Sequence, residues 1–165
     1  MTSATDLYQE IILNHSRHPR HFGRLENATH HIKADNPLCG DSYEVFLQVD
    51  EGGIIRAAAF EGAGCAISKA SASLMTDAVI GHSIQDFESL FVRFHDLVRG
   101  SGTAPAPDSM GKLAAFSGIW KFPARVKCAI LCWHAARTAL AGTTPEETTP
   151  EGTAPEGTAP EGGGS

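Results

Sequence analysis

Two neighbouring stretches of apolar residues constrain this fold more than any other feature of the chain. Residues 43–50 alternate in polarity and place one set of side chains on a single face, namely Tyr43, Val45, Leu47 and Val49. A Glu-Gly-Gly turn at residues 51–53 leads into a second apolar run at residues 54–60. A period of two interrupted by a glycine turn predicts an antiparallel hairpin with one face toward solvent. Residues 28–34 are predicted to add a short edge strand.

Segments with helical periodicity surround this hairpin. The first begins at Thr2 or Ser3, the second covers residues 66–80 and holds Cys65 in its first turn, the third opens at Ser83, and the last starts at Pro123. The glycine-rich residues 61–65 are predicted as a turn, residues 100–110 as a flexible loop and residues 113–116 as a short helix. Strands and helices do not alternate as βαβ units. The prediction is therefore an α+β fold, a small antiparallel sheet of about three strands with helices packed on one face.

The composition divides the chain at about residue 142. Residues 142–165 repeat Thr, Pro, Glu and Gly, carry five glutamates and lack large apolar side chains, so we predict a disordered tail. Residues 1–141 are predicted to form one domain. The net charge of −6 comes mostly from the tail, and the body has no basic stripe, which argues against nucleic acid as a partner. With no long apolar run and no targeting pattern, we expect a cytoplasmic protein without a membrane span.

Three of the four cysteines lie at predicted element ends. Cys39 and Asp41 share a turn before the hairpin, Cys65 follows the glycine-rich stretch, and Cys128 lies near the start of the last helix. In a reducing compartment, thiols are more often metal ligands or reactive groups than disulfide partners. The bland alternatives are that each cysteine is a small buried side chain and that Asp41 caps its own turn. The spacings of 26 and 63 residues mean that only the tertiary fold can assemble a site.

Other candidate ligands receive simpler interpretations. His15, His18 and His21 follow the first helix with no acidic partner nearby, so solvated side chains are expected rather than metal ligands. Cys132 lies four residues after Cys128, on the same helical face, and is interpreted as a buried small residue.

The stretches NPLCGD, FEGAGCAISKASASLM and GIWKFPARVKCAILCW resemble the iron–sulfur cluster assembly family that includes IscU and SufU, whose domain is also called NifU N-terminal-like. The resemblance runs from about Leu7 to Leu140. IscU-type scaffolds carry Leu-Pro-Pro-Val-Lys and then Leu-His-Cys at the third cysteine. In this chain Lys127 stands where the scaffold has its histidine, and Arg125 where it has lysine. The chain therefore resembles the SufU branch.

This resemblance implies a zinc site made by Cys39, Asp41, Cys65 and Cys128. It implies a sulfurtransferase that accepts persulfide sulfur on Cys39 from a SufS-type desulfurase dependent on pyridoxal phosphate, and passes it to a downstream iron–sulfur scaffold. Arg125 and Lys127 are either plain surface charges or contacts for the partner. The alternative function is a non-enzymatic scaffold that holds iron or a [2Fe–2S] cluster on the same three cysteines.

Overall fold

The computed structural model of the chain describes residues 4–36 and 40–141. The predicted tail, residues 142–165, lies outside the described residues, so the division at residue 142 stays a prediction. The elements in chain order are α1 (Ala4–Arg17), β1 (His30–Asn36), β2 (Asp41–Val49), β3 (Ile55–Ala63), α2 (Ala66–Val79), α3 (Ile84–Arg99), two 3₁₀ segments (Pro107–Phe116 and Ile119–Lys121) and α4 (Pro123–Leu140). The predicted α+β class is confirmed.

The sheet has three antiparallel strands in the order β1-β2-β3. Its third strand is longer than the predicted one, because β3 continues through Ala63 instead of turning at residue 61. Gly62 permits this extension, since a Cβ at this position would lie 2.2 Å from the backbone oxygen of Ser42. The end of β3 therefore runs directly beside the start of β2.

The outer face of the sheet is less exposed to solvent than predicted. Phe46 lies on that face and is only 2% exposed. The Arg24 guanidinium carbon lies 5.0 Å from the centre of its ring, and His31 stacks on it from β1. The connection between α1 and β1 carries Arg24 across this face, and Gly23 N–H donates to the Phe60 carbonyl on β3 at 2.7 Å. A long loop therefore covers part of the face that alternation alone assigned to solvent.

The inner face packs against helices, and α2 is joined to α4 by a buried polar contact. Trp133 of α4 is fully buried and stacks on Phe94 of α3, with ring centres 4.4 Å apart. Its indole N–H donates to the Ser71 hydroxyl of α2 at 3.1 Å, and that hydroxyl donates to the Ala129 carbonyl. Buried polar groups need such partners, so this contact sets how α2 and α4 lie against each other.

The prediction of solvated histidines is wrong for His15. This side chain is 1% exposed, and its Nδ1 lies 2.7 Å from the Ser73 hydroxyl of α2. Burial, with smaller contributions from Arg20 and Lys112, lowers the pKa of His15. The error has a tertiary cause, because α1 packs across α2 and turns its last turn toward Ser73. His18 and His21 are exposed, as expected, although His21 Nδ1 also lies 3.0 Å from a hydroxyl of α2.

The region predicted as a flexible loop ends earlier than expected. A 3₁₀ segment begins at Pro107 and bends at Gly111, whose φ is 58°. Met110 and Phe116 of this segment are buried in the core and fix it there. The glycine- and proline-rich residues at the start of the region gave no indication of this burial. Among the described residues, no helix is both long enough and apolar enough to cross a lipid bilayer.

Candidate metal centre

Asp41, Cys65 and Cys128 converge at one end of the sheet. A carboxylate oxygen of Asp41 and the two sulfur atoms all lie within 4.8 Å of one another. Asp41 opens β2, Cys65 directly precedes α2, and Cys128 lies in the second turn of α4. The site is therefore assembled from three element ends that are separated by 24 and 63 residues.

Cys65 is the N-cap residue of α2. Its extended backbone (φ −74°, ψ 169°) ends the β3 connection, and its sulfur accepts a hydrogen bond from Ser68 N–H at 3.4 Å. The prediction placed Cys65 inside the first turn, one residue further into the helix. A sulfur at the N-cap faces unpaired N–H groups and the positive end of the helix dipole.

Asp41 holds the start of α2 with one oxygen and leaves the other available. Its Oδ1 accepts from the Cys65 backbone N–H at 2.9 Å. Its Oδ2 is buried without a hydrogen-bond partner among the described residues, and the residue is 2% exposed. A buried carboxylate oxygen with no partner is costly unless a cation pairs with it. Together with two adjacent sulfur atoms, this oxygen makes a donor set that fits zinc.

Cys128 and Cys132 have different environments although both lie on α4. Cys128 is 4% exposed and belongs to the cluster, whereas Cys132 is not one of the three grouped ligands. Burial raises the pKa of the Cys132 thiol, so this group stays neutral. The interpretation of Cys132 as a buried small residue is confirmed.

The remaining predicted residues lie beside this cluster in the chain. Cys39 lies outside the described residues, so its assigned roles stay predictions. In the sequence it precedes Asp41 by two residues. Arg125 and Lys127 are exposed in the first turns of α4, as Trp120 and Phe122 are just before it.

Sequence reasoning missed two further residues at this site. Tyr43 was predicted on the core face of a strand. Ser68 fell within the predicted second helix, with no role at the site. The Tyr43 hydroxyl lies 2.9 Å from the Ser68 hydroxyl in a buried contact, and Ser68 contacts Cys65. Burial raises the pKa of Tyr43, so its hydroxyl keeps its proton. The available signal was the position of Ser68 three residues after a helix-capping cysteine.

Comparison with known proteins defines the class to which this fold and site belong. The sequence model of one protein family, the NifU-like N-terminal domain, matches residues 7–129. The chain belongs to this family, with IscU and SufU proteins among its relatives.

Two curated relatives and one solved structure illustrate the similarity. The chain is 40% identical over 135 residues to the zinc-dependent sulfurtransferase SufU of Bacillus subtilis, covering 82% of this chain and 90% of that one. It is 37% identical over 140 residues to the iron–sulfur cluster assembly scaffold protein IscU of Streptococcus pyogenes, covering 85% and 86%. A crystal structure described as a SUF-system scaffold protein from Fervidobacterium islandicum superposes with a TM-score of 0.74 at 30% identity, covering 84% and 99%.

Proposed function

We propose that this protein is a zinc-dependent sulfurtransferase, which accepts sulfur from a SufS-type cysteine desulfurase and relays it into iron–sulfur cluster assembly. The observation that carries the proposal is the cluster of Asp41, Cys65 and Cys128, in which a buried carboxylate oxygen lacks a partner among the described residues. The B. subtilis relative named as a zinc-dependent sulfurtransferase supports the choice of metal and reaction.

In this proposal four protein atoms hold zinc. The two sulfurs of Cys65 and Cys128 and one oxygen of Asp41 supply three ligands, and Cys39 supplies the fourth. Four ligands of this kind suit the tetrahedral preference of zinc. When bound, the metal keeps thiols ionised at neutral pH.

The sulfur-accepting step is assigned to Cys39. Its thiolate attacks the outer sulfur of a cysteine persulfide on the desulfurase. The sulfur–sulfur bond of the donor breaks, the donor cysteine leaves as a thiolate, and Cys39 becomes the persulfide, with no net oxidation or reduction. The pyridoxal phosphate that generates the donor persulfide belongs to the desulfurase.

Cys39 suits this role better than the other two cysteines because they are tied to helices. Cys65 caps α2 and accepts a hydrogen bond from Ser68, and Cys128 is buried within α4. Either sulfur could leave the metal with a transferred sulfur atom only if its helix moved. Cys39 lies in the connection that leaves β1 at Asn36 and re-enters the sheet at Asp41, beside Gly40. We therefore assign the static ligands to the helices and the reactive one to this connection.

A second candidate function is a scaffold that assembles a [2Fe–2S] cluster on the same cysteines. The similarity to IscU of S. pyogenes favours it. Purified full-length protein separates the two functions when its metal content is measured and a cysteine desulfurase is assayed with and without it. We expect about one zinc per chain, and desulfurase turnover that rises with added protein. Formation of a stable coloured cluster, with no rise in turnover, would instead establish the scaffold.

The partner-binding surface is assigned to the start of α4, which we call the α4 entry surface (Trp120, Lys121, Phe122, Arg125 and Lys127). Trp120 is 48% exposed and Phe122 57%, and no acidic residue occurs between residues 119 and 130. Exposed aromatic side chains with arginine are typical of binding hot spots. Arg125 precedes Cys128 by about one helical turn, so a desulfurase docked on this surface brings its persulfide to the site.

Charge reversal at Arg125 tests this surface. Arg125→Glu is expected to raise the concentration of protein that half-saturates desulfurase stimulation by about tenfold at low salt, because charges at an interface rim control association. The zinc content should stay unchanged. Arg17→Glu is the matched control, since Arg17 is an exposed arginine at the end of α1. Equal effects of the two reversals would show that only net charge matters and would remove Arg125 from the surface.

A further inference from the structure

The sulfur of Cys65 is connected to two buried hydroxyl groups. Ser68 donates its backbone N–H to Cys65 Sγ at 3.4 Å, and its hydroxyl donates to the Cys65 carbonyl at 3.0 Å. The Ser68 Oγ also lies 3.7 Å from Cys65 Sγ. Ser68 therefore contacts both the backbone and the side chain of Cys65, which restricts the direction of the sulfur.

Tyr43 orients Ser68 from the opposite side. A serine hydroxyl has one proton, and that of Ser68 is used by the Cys65 carbonyl. Tyr43 is therefore the donor in the 2.9 Å contact between the two hydroxyls. The tyrosine is 2% exposed, and its ring packs against Phe60 with centres 5.9 Å apart. A side chain held this tightly fixes the donor in place.

Gly64 provides the space for this arrangement. A Cβ at residue 64 would lie 2.5 Å from both the Tyr43 hydroxyl and Asp41 Oδ1, and 2.7 Å from the Ser68 hydroxyl. Three oxygen atoms thus lie close to the backbone of Gly64, immediately before Cys65. Only glycine admits all three, so the backbone on the N-terminal side of Cys65 is packed against the hydroxyls of Tyr43 and Ser68, and the Ser68 hydroxyl also holds the Cys65 carbonyl.

We propose that Tyr43 and Ser68 are positioning residues for Cys65, and that they hold its sulfur toward the metal so that the metal is retained when Cys39 leaves to carry sulfur. This inference rests on the proposed function in taking Cys65 as a static ligand and Cys39 as the departing one. Asp41, Cys65 and Cys128 then remain as three ligands, and a freely rotating Cys65 would reduce them to two. Outer-shell hydrogen bonds of this kind are worth about 10- to 100-fold in metal affinity.

The experiment uses full-length protein loaded with one equivalent of Co²⁺, since the thiolate-to-cobalt absorption bands report directly on the sulfur ligands. The variants are Tyr43→Phe, Ser68→Ala and the double variant, and the control is Tyr8→Phe, which changes the other tyrosine of the chain in the same way. The rate of cobalt loss to excess chelator and the absorption spectrum are both recorded. The thermal midpoint of each metal-free variant is measured alongside.

We expect cobalt loss to be about tenfold faster in Tyr43→Phe, with altered thiolate-to-cobalt bands, and unchanged in Tyr8→Phe. If Tyr43 acts through Ser68, the double variant should lose cobalt no faster than Ser68→Ala alone. An unchanged release rate in Tyr43→Phe, additive effects in the double variant, or rates that simply follow the thermal midpoints would overturn the proposal. Wild-type protein that retains cobalt but takes up no persulfide sulfur would overturn the proposed function alone.

Discussion

Protein carrying Cys39→Ser is expected to take up no sulfur at residue 39 after incubation with a cysteine desulfurase and L-cysteine, and to stimulate the desulfurase only at background level. The reason is the nucleophile, because a serine hydroxyl remains protonated at neutral pH and does not attack a persulfide as a thiolate does. Peptide mass spectrometry locates any added sulfur. The fold should survive, since Asp41, Cys65 and Cys128 remain in place.

Cys132→Ala is the matched control for this loss. Cys132 is the remaining cysteine outside the proposed ligand set, and it is buried on α4. Its replacement should leave sulfur uptake at Cys39 intact. Recovery of an added sulfur atom on Cys65 or Cys128 in Cys39→Ser protein would show that the acceptor has been assigned to the wrong cysteine.

Asp41→Asn is expected to have opposite effects on the two forms of the protein. Without metal, the substitution removes a buried charge whose Oδ2 lacks a hydrogen-bond partner among the described residues, and it keeps an oxygen for the Cys65 N–H. The free energy of unfolding should therefore rise, because a neutral amide costs less to bury than a carboxylate. With zinc, one of four ligands is lost, and the affinity should fall by about 100-fold or more, beyond the cost of an outer-shell change. Denaturant unfolding and a competing chelator measure the two quantities.

Two further variants control this prediction. Asp35→Asn makes the same chemical change at an exposed position on β1, directly across from Ser42, and should leave zinc affinity unchanged. Asp41→Ala also removes the acceptor of the Cys65 N–H, so its metal-free form should gain less stability than Asp41→Asn. If Asp41→Asn binds zinc as tightly as the wild-type protein, Asp41 is not a metal ligand.

Local patterns were sufficient for most of the architecture. Alternation and a glycine turn predicted the hairpin, Ser83 and Pro123 marked the starts of α3 and α4, and the order of elements predicted the α+β class. These features are encoded by neighbours in the sequence through capping, backbone restriction and periodicity. The motifs around the cysteines were also sufficient to place the chain in its family.

Contacts between distant residues decided what the sequence could not. His15 is buried because Ser73, 58 residues away, lies beneath it, and Phe46 is buried because Arg24 crosses the outer face of the sheet. No local pattern records such pairings, since they arise when whole elements pack.

The same division applies to the metal centre. The family resemblance carried by the cysteine motifs nominated Cys39, Asp41, Cys65 and Cys128 as ligands, with Cys39 also as the reactive thiol. The tertiary structure decided that three of them meet within 4.8 Å, that Asp41 leaves one oxygen without a partner among the described residues, and that Tyr43 contacts the serine that orients Cys65. The physical reason is that ligand identity is a property of side chains, whereas convergence and hydrogen-bond direction depend on how β2, α2 and α4 pack together.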